Sequence, residues 1–108
     1  MRLEHYPIEK LKKEILIILG SHLDLRQYRV FFFGSRVQGK GNYSSDIDVG
    51  IEGVTPVPFV VLEDIKEELD RLSTLYKIDV MDFAHASKKF REVAFQNIEP
   101  LTLLHDKI

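Results

Sequence analysis

A chain of 108 residues, 44% hydrophobic and 30% charged, has the composition of one globular core of ordinary domain size and argues against disorder. Fifteen lysines and arginines against 17 aspartates and glutamates leave a formal charge of -2, which argues against direct nucleic-acid binding through an uncompensated basic surface. With no cysteine, a disulfide framework, a thiol nucleophile and a thiolate metal site are excluded.

The longest apolar runs, Ile15–Leu19 and Val30–Phe33, fall well short of a membrane span. Met1 to Lys13 mixes charged and apolar residues and shows no signal-peptide core. The expectation is a single domain over residues 1–108, cytoplasmic, with no membrane partner.

In chain order, Pro7 suits the first turn of a helix, and Ile8, Leu11, Ile15, Ile18 and Leu19 recur at helical spacing up to Gly20-Ser21. Tyr28–Phe33 is a short β-favouring run of the kind buried on both faces of a sheet. Residues 34–45 are polar and glycine-rich, and so long a loop in so small a domain points to function. From Asp46 to Glu52 polar and apolar residues alternate with a period of two, which predicts a second strand. A loop with Pro56 and Pro58 follows. A helix is predicted from about Phe59 to Leu72, with Val60, Ile65, Leu69 and Leu72 inward. Lys77–Phe83 reads as a third strand. Ser87 is the expected N-cap of a last helix, with Phe90, Val93, Ala94 and Ile98 as its apolar stripe, ending before Pro100. This order predicts an α/β (α+β) domain: a small mixed sheet with helices on one face and the other face open.

The carboxylates mark that open face. Alternation puts Asp46 and Asp48 on one side of their strand and Ile47 and Val49 on the other. In the third strand Ile78 and Val80 share the apolar side, leaving Asp79 opposite them. Asp82 falls on the apolar side and ranks below Asp79 as a functional group. Three acids gathered on one face repel one another, a repulsion that a divalent cation removes. Oxygen-only donors suit Mg²⁺ or Mn²⁺, and Mg²⁺ is usually shared with substrate phosphates. The Gly34-Ser35 turn, directly after a strand, can offer backbone N–H groups and a hydroxyl to phosphate, with Arg36 as a fixed charge beside it.

Gly34-Ser35, ten intervening residues and Asp46-Ile47-Asp48 together resemble the signature of the DNA polymerase β-type nucleotidyltransferase superfamily. Phe33-Gly34-Ser35-Arg36, Ser45-Asp46-Ile47-Asp48 and Lys77-Ile78-Asp79-Val80 are similar to the minimal nucleotidyltransferase (MNT) group within it. The resemblance implies the nucleotidyltransferase fold and metal-dependent transfer of a nucleoside monophosphate, AMP from ATP, to a hydroxyl. It implies that Asp46 and Asp48 bind two Mg²⁺ ions, with Mn²⁺ as the alternative. Asp79 would share one of them and help activate the attacking hydroxyl, while Gly34 and Ser35 hold the β- and γ-phosphates. Members of this kind are often paired with a helical HEPN toxin as its antitoxin, a tyrosine of that partner being the acceptor. No further domain is expected here to grip base or acceptor, so a partner chain, a homo-oligomer or both are expected.

The alternative is a non-catalytic antitoxin that neutralises its partner by occlusion, through apolar residues Leu101, Leu103, Leu104 and Ile108. Plainer readings hold elsewhere. Phe31, Phe32 and Phe33 are expected in the core, Lys40 in solvent, and Tyr43 and Tyr76 in ordinary packing. His5, His22, His85 and His105 lack metal-ligand spacing. Arg36 is open between a phosphate contact and a salt bridge to a nearby acid. Residues 34–41 nearly spell a phosphate-binding P-loop but place Gly41 where Ser or Thr must reach Mg²⁺. An EF-hand from Asp46 fails at Ile51 and Val57.

Overall fold

The computed structural model describes residue 3 and residues 6–34, 36–37, 46–72, 74 and 76–101. Helix α1 spans Ile8–Gly20, strand β1 Tyr28–Phe33, β2 Ile47–Gly53, helix α2 Phe59–Asp70 and β3 Ile78–Asp82. A 3-10 turn over Phe83–His85, helix α3 over Lys88–Ala94 and a short β4 over Glu99–Pro100 complete the order. The strands form one mixed sheet in the order β3-β2-β1-β4. β1 is antiparallel to β2 and β4, whereas β2 and β3 are parallel and joined through α2.

Leu11, Ile15 and Leu19, four residues apart on α1, are completely buried, as is Ile65 on α2. They pack with Leu69 on one sheet face formed by Val30, Phe32, Ile47, Val49, Ile51, Ile78 and Val80. The helical layer expected over one face is therefore present. Each of these side chains contributes roughly 1.5–3 kcal/mol by leaving water.

The opposite face is not open along its whole length, as the sequence reading had it. Phe31 and Phe33 point there, and rings of that size left in water would forfeit their burial energy. Phe83 covers both at centroid distances of 5.0 Å, and Phe95 stacks on Phe83 at 5.4 Å. The 3-10 turn and α3 thus roof β1, and the open part shrinks to the start of β2 and β3.

Several local expectations also change. Val60 is 69% exposed, and Val61 and Leu62 face the core in its place. The predicted apolar stripe of α3 is not buried: Phe90 is 39% and Val93 54% exposed, and the helix stops at Ala94, before Ile98. The chain turns there so that Glu99 and Pro100 can pair with β1, an edge position that tolerates proline. Leu101, expected on an exposed interface, is buried at 5%, its N–H donating to Val30 O at 2.8 Å. Leu103, Leu104 and Ile108 lie outside the described residues. Ser87 does cap α3, its Oγ accepting from the Phe90 N–H at 3.1 Å. Buried Asp82 accepts from the Val57 and Ala84 N–H groups at 2.7 and 3.0 Å, a structural role that agrees with its lower rank. No described helix is long and apolar enough to cross a membrane.

Gly50 lies beneath the aromatic roof, and a Cβ there would collide with the Phe31 ring and come within 2.8 Å of Phe83 Cε1. Gly50→Ala is therefore expected to destabilise the fold by about 1–3 kcal/mol through overpacking. Urea denaturation checks it, and an unchanged midpoint refutes the packing described.

Candidate active site

Strand register brings the acids together. Asp48 pairs directly with Asp79 across the parallel β2–β3 ladder, and on its other side pairs with Phe33. Directly paired side chains share a face, so a ring, a carboxylate and a second carboxylate stand side by side. Asp46, two residues before Asp48, falls on the same side, near enough to Asp79 to push that carboxyl above its ordinary pKa. The Ile47 N–H donates to Lys77 O at 2.9 Å and locks this register at its open end.

Asp48 is half-buried and the Asp79 side chain 49% exposed. Partial burial, then the charges of Asp79 and Asp46, push the Asp48 carboxyl above its ordinary pKa. Partial burial and the hydrogen bond to Asp46 raise Asp79 as well, with Asp46 and Asp70 adding repulsion. Lys77 opposes this, its Nζ lying 4.0 Å from Asp79 Oδ1.

Gly34 ends β1 with φ +88°, a conformation that side chains rarely adopt. A Cβ at this position would also strike the Asp48 carboxylate. The absence of a side chain at Gly34, expected for the approach of phosphate, here lets the turn pass against the central acid. Ser35, Lys40 and Tyr43 lie outside the described residues, as do His5 and His105. Arg36 carries its guanidinium over the Tyr76 ring at 4.8 Å, a contact that neither of its two expected roles foresaw. Tyr76 is buried, in line with the packing expected of it. His22 pairs with Glu68, and exposed His85 lies 3.9 Å from Asp82, so neither touches the acids described.

Sequence reading thus placed Asp46, Asp48, Asp79 and Gly34 and missed Lys77, Tyr76 and Asp70 as neighbours of the site. Lys77 stands two positions before Asp79, so the strand alternation already put both on one face.

Among the described residues no group of three or more histidines, aspartates and glutamates is arranged to hold a metal ion by itself. A site for Mg²⁺ with a nucleotide does not require one, because phosphate oxygens and water fill the remaining positions around one or two carboxylates. The oxygen-only donor set, its exposure and its self-repulsion fit a hard divalent cation.

The family model described as polymerase beta nucleotidyltransferase matches residues 13–103. A probable protein adenylyltransferase MntA of Haemophilus influenzae is 34% identical over 85 residues, which span 77% of this chain and 75% of that protein. Among solved structures, a toxin–antitoxin crystal structure with AMP-PNP superposes with a TM-score of 0.69 at 19% identity, covering 89% of this chain and 77% of the other. A Shewanella oneidensis complex of tri-AMPylated HEPN toxin with MNT antitoxin gives 0.62 at 17% identity, over 92% and 77%. At these identities the structural likenesses speak to the fold.

Raised carboxyl pKa values mean that the folded state binds protons more readily than the unfolded chain. The stability that protonation confers is full below the ordinary carboxylate range and is lost as pH rises through the raised values. Asp48→Asn is therefore expected to melt at a higher temperature than the unaltered chain at pH 7 without metal, and to lose that advantage in acid. Added Mg²⁺ should raise the melting temperature of the unaltered chain and leave the Asn variant nearly unmoved. Thermal melts at two pH values, with and without Mg²⁺, measure both effects.

Proposed function

This chain belongs to the polymerase β-type nucleotidyltransferase family, and from that premise we propose that it is a protein adenylyltransferase acting as the antitoxin of a HEPN toxin. The acceptor is a tyrosine hydroxyl of that partner, residues 1–108 act as one catalytic domain, and the reaction takes place in the cytoplasm, where ATP is supplied. The observation that carries the reading is the Asp48–Asp79 pair across β2 and β3, with Asp46 close beside Asp79. Folding alone gains nothing from three adjoining acids, whereas phosphoryl chemistry does.

Asp46, Asp48 and Asp79 would hold the divalent ions, Mg²⁺ with Mn²⁺ as the alternative. When bound, these ions neutralise the triphosphate and the departing pyrophosphate. The Gly34-Ser35 turn receives the β- and γ-phosphates, since the missing side chain at Gly34 lets backbone approach them. The tyrosine oxygen attacks the α-phosphorus and the bond from that phosphorus to the bridging oxygen breaks. Asp79, at the exposed edge, takes the phenolic proton. The products are an AMP–tyrosine ester and pyrophosphate.

Incubation with labelled ATP, Mg²⁺ and the HEPN partner encoded beside this chain is expected to raise the partner's mass by whole AMP units. The double variant Asp46→Asn/Asp48→Asn should slow labelling by roughly a thousandfold, the several kcal/mol that metal-held charge supplies. Absence of label with the unaltered chain, in a complex shown to form, refutes the proposal.

A further inference from the structure

Tyr76 and Arg36 lie 40 positions apart in sequence, yet the guanidinium of one rests on the ring of the other at 4.8 Å. Each is tied to a different half of the site. Arg36 follows Gly34 by two residues, on the turn that passes against Asp48. Tyr76 precedes Lys77, whose carbonyl accepts the Ile47 N–H and whose Nζ reaches Asp79. The contacts form a closed circuit: Gly34 to Asp48, Asp48 to Asp79 across the ladder, Lys77 back to Tyr76, and Tyr76 to Arg36. The last link joins the turn after β1 directly to the residue that leads into the β3 edge.

We propose that Tyr76 is a positioning residue for the nucleotide, its ring bracing Arg36 so that the triphosphate turn stays in register with the strand that carries Asp79. The inference rests on the adenylyl-transfer reading for the identity of the ligand. Three features support a brace. Tyr76 is 8% exposed and seated in the main core, so its ring is a rigid platform. Arg36 is partly withdrawn from water, where a guanidinium–ring contact is stronger than at an exposed site. The next residue, Val37, also packs on the main core, so two successive residues pin the turn. Arginine suits this better than lysine, because its planar, weakly hydrated head stacks on aromatic faces. Holding the turn in place before the nucleotide arrives avoids ordering it at the moment of binding.

Calorimetric titration of ATP with Mg²⁺ into the full chain tests this. Tyr76→Leu, which keeps apolar volume and removes the ring face, is expected to weaken binding by roughly tenfold, the scale of one partly desolvated cation–π contact. Tyr76→Phe restores the face and should recover most of the affinity. Arg36→Ala should weaken binding to a similar degree, and the double variant Arg36→Ala/Tyr76→Leu should bind no worse than Arg36→Ala alone. Losses that multiply would overturn the proposal, since they would mean that Arg36 meets phosphate independently and Tyr76 only fills the core. If Tyr76→Leu does not fold, Arg36→Lys decides. A brace predicts a loss close to that of Arg36→Ala, and retained affinity refutes it. Should the unaltered chain fail to bind ATP with Mg²⁺, the adenylyl-transfer reading falls and the brace with it. Should it bind and Tyr76→Leu bind equally well, the brace alone falls.

Discussion

The site depends on one arrangement: two aspartates held opposite each other by the parallel register of β2 and β3, with a third close beside them. Like charges at that spacing oppose folding, and the fold accepts the cost because hydrophobic pairs on the reverse of the same strands lock the register. Ile47 pairs with Ile78 and Val49 with Val80, all buried. A slip of one residue would turn those side chains into water and the acids into the core. The apolar face thus dictates where the charges must stand.

The second sheet face is divided in a way that serves this chemistry. Its far half is sealed by Phe31, Phe33 and Phe83, and its near half is left to the carboxylates. Phe33 stands at the boundary, directly paired with Asp48. The aromatic roof therefore ends beside the central acid, whose partial burial raises its carboxyl pKa. Burial on one side and exposure on the other give Asp48 and Asp79 different surroundings although both are aspartates. In the proposed reaction the half-buried residue would hold a cation and the edge residue would meet the incoming hydroxyl.

Electrostatic compensation in this arrangement is deliberately incomplete in the physical sense that Lys77 is drawn to Asp79 at 4.0 Å while that carboxyl still stays above its ordinary pKa. A full set of salt bridges would relieve the repulsion and remove the pull on a divalent cation. Arg36, with its guanidinium over the Tyr76 ring, carries its charge close to the turn.

Much of this was readable from residue order. The strand Tyr28–Phe33 matched to the residue, the acids were assigned to the correct face by alternation, and the inward positions Leu11, Ile15 and Leu19 followed from helical period. Local periodicity reports which face a side chain occupies, because that is set within a few residues. It does not report what lies across from that face. The two-residue β4, the burial of Leu101 and the roof over Phe31 and Phe33 escaped it, since each depends on a partner distant in sequence. The Arg36–Tyr76 contact escaped for the same reason. The sequence by itself determined the acids, their spacing and their side of the sheet. Only the tertiary structure decided their direct pairing, the share of that side left open and the brace between its two halves, because strand register and long-range packing are properties of the assembled core.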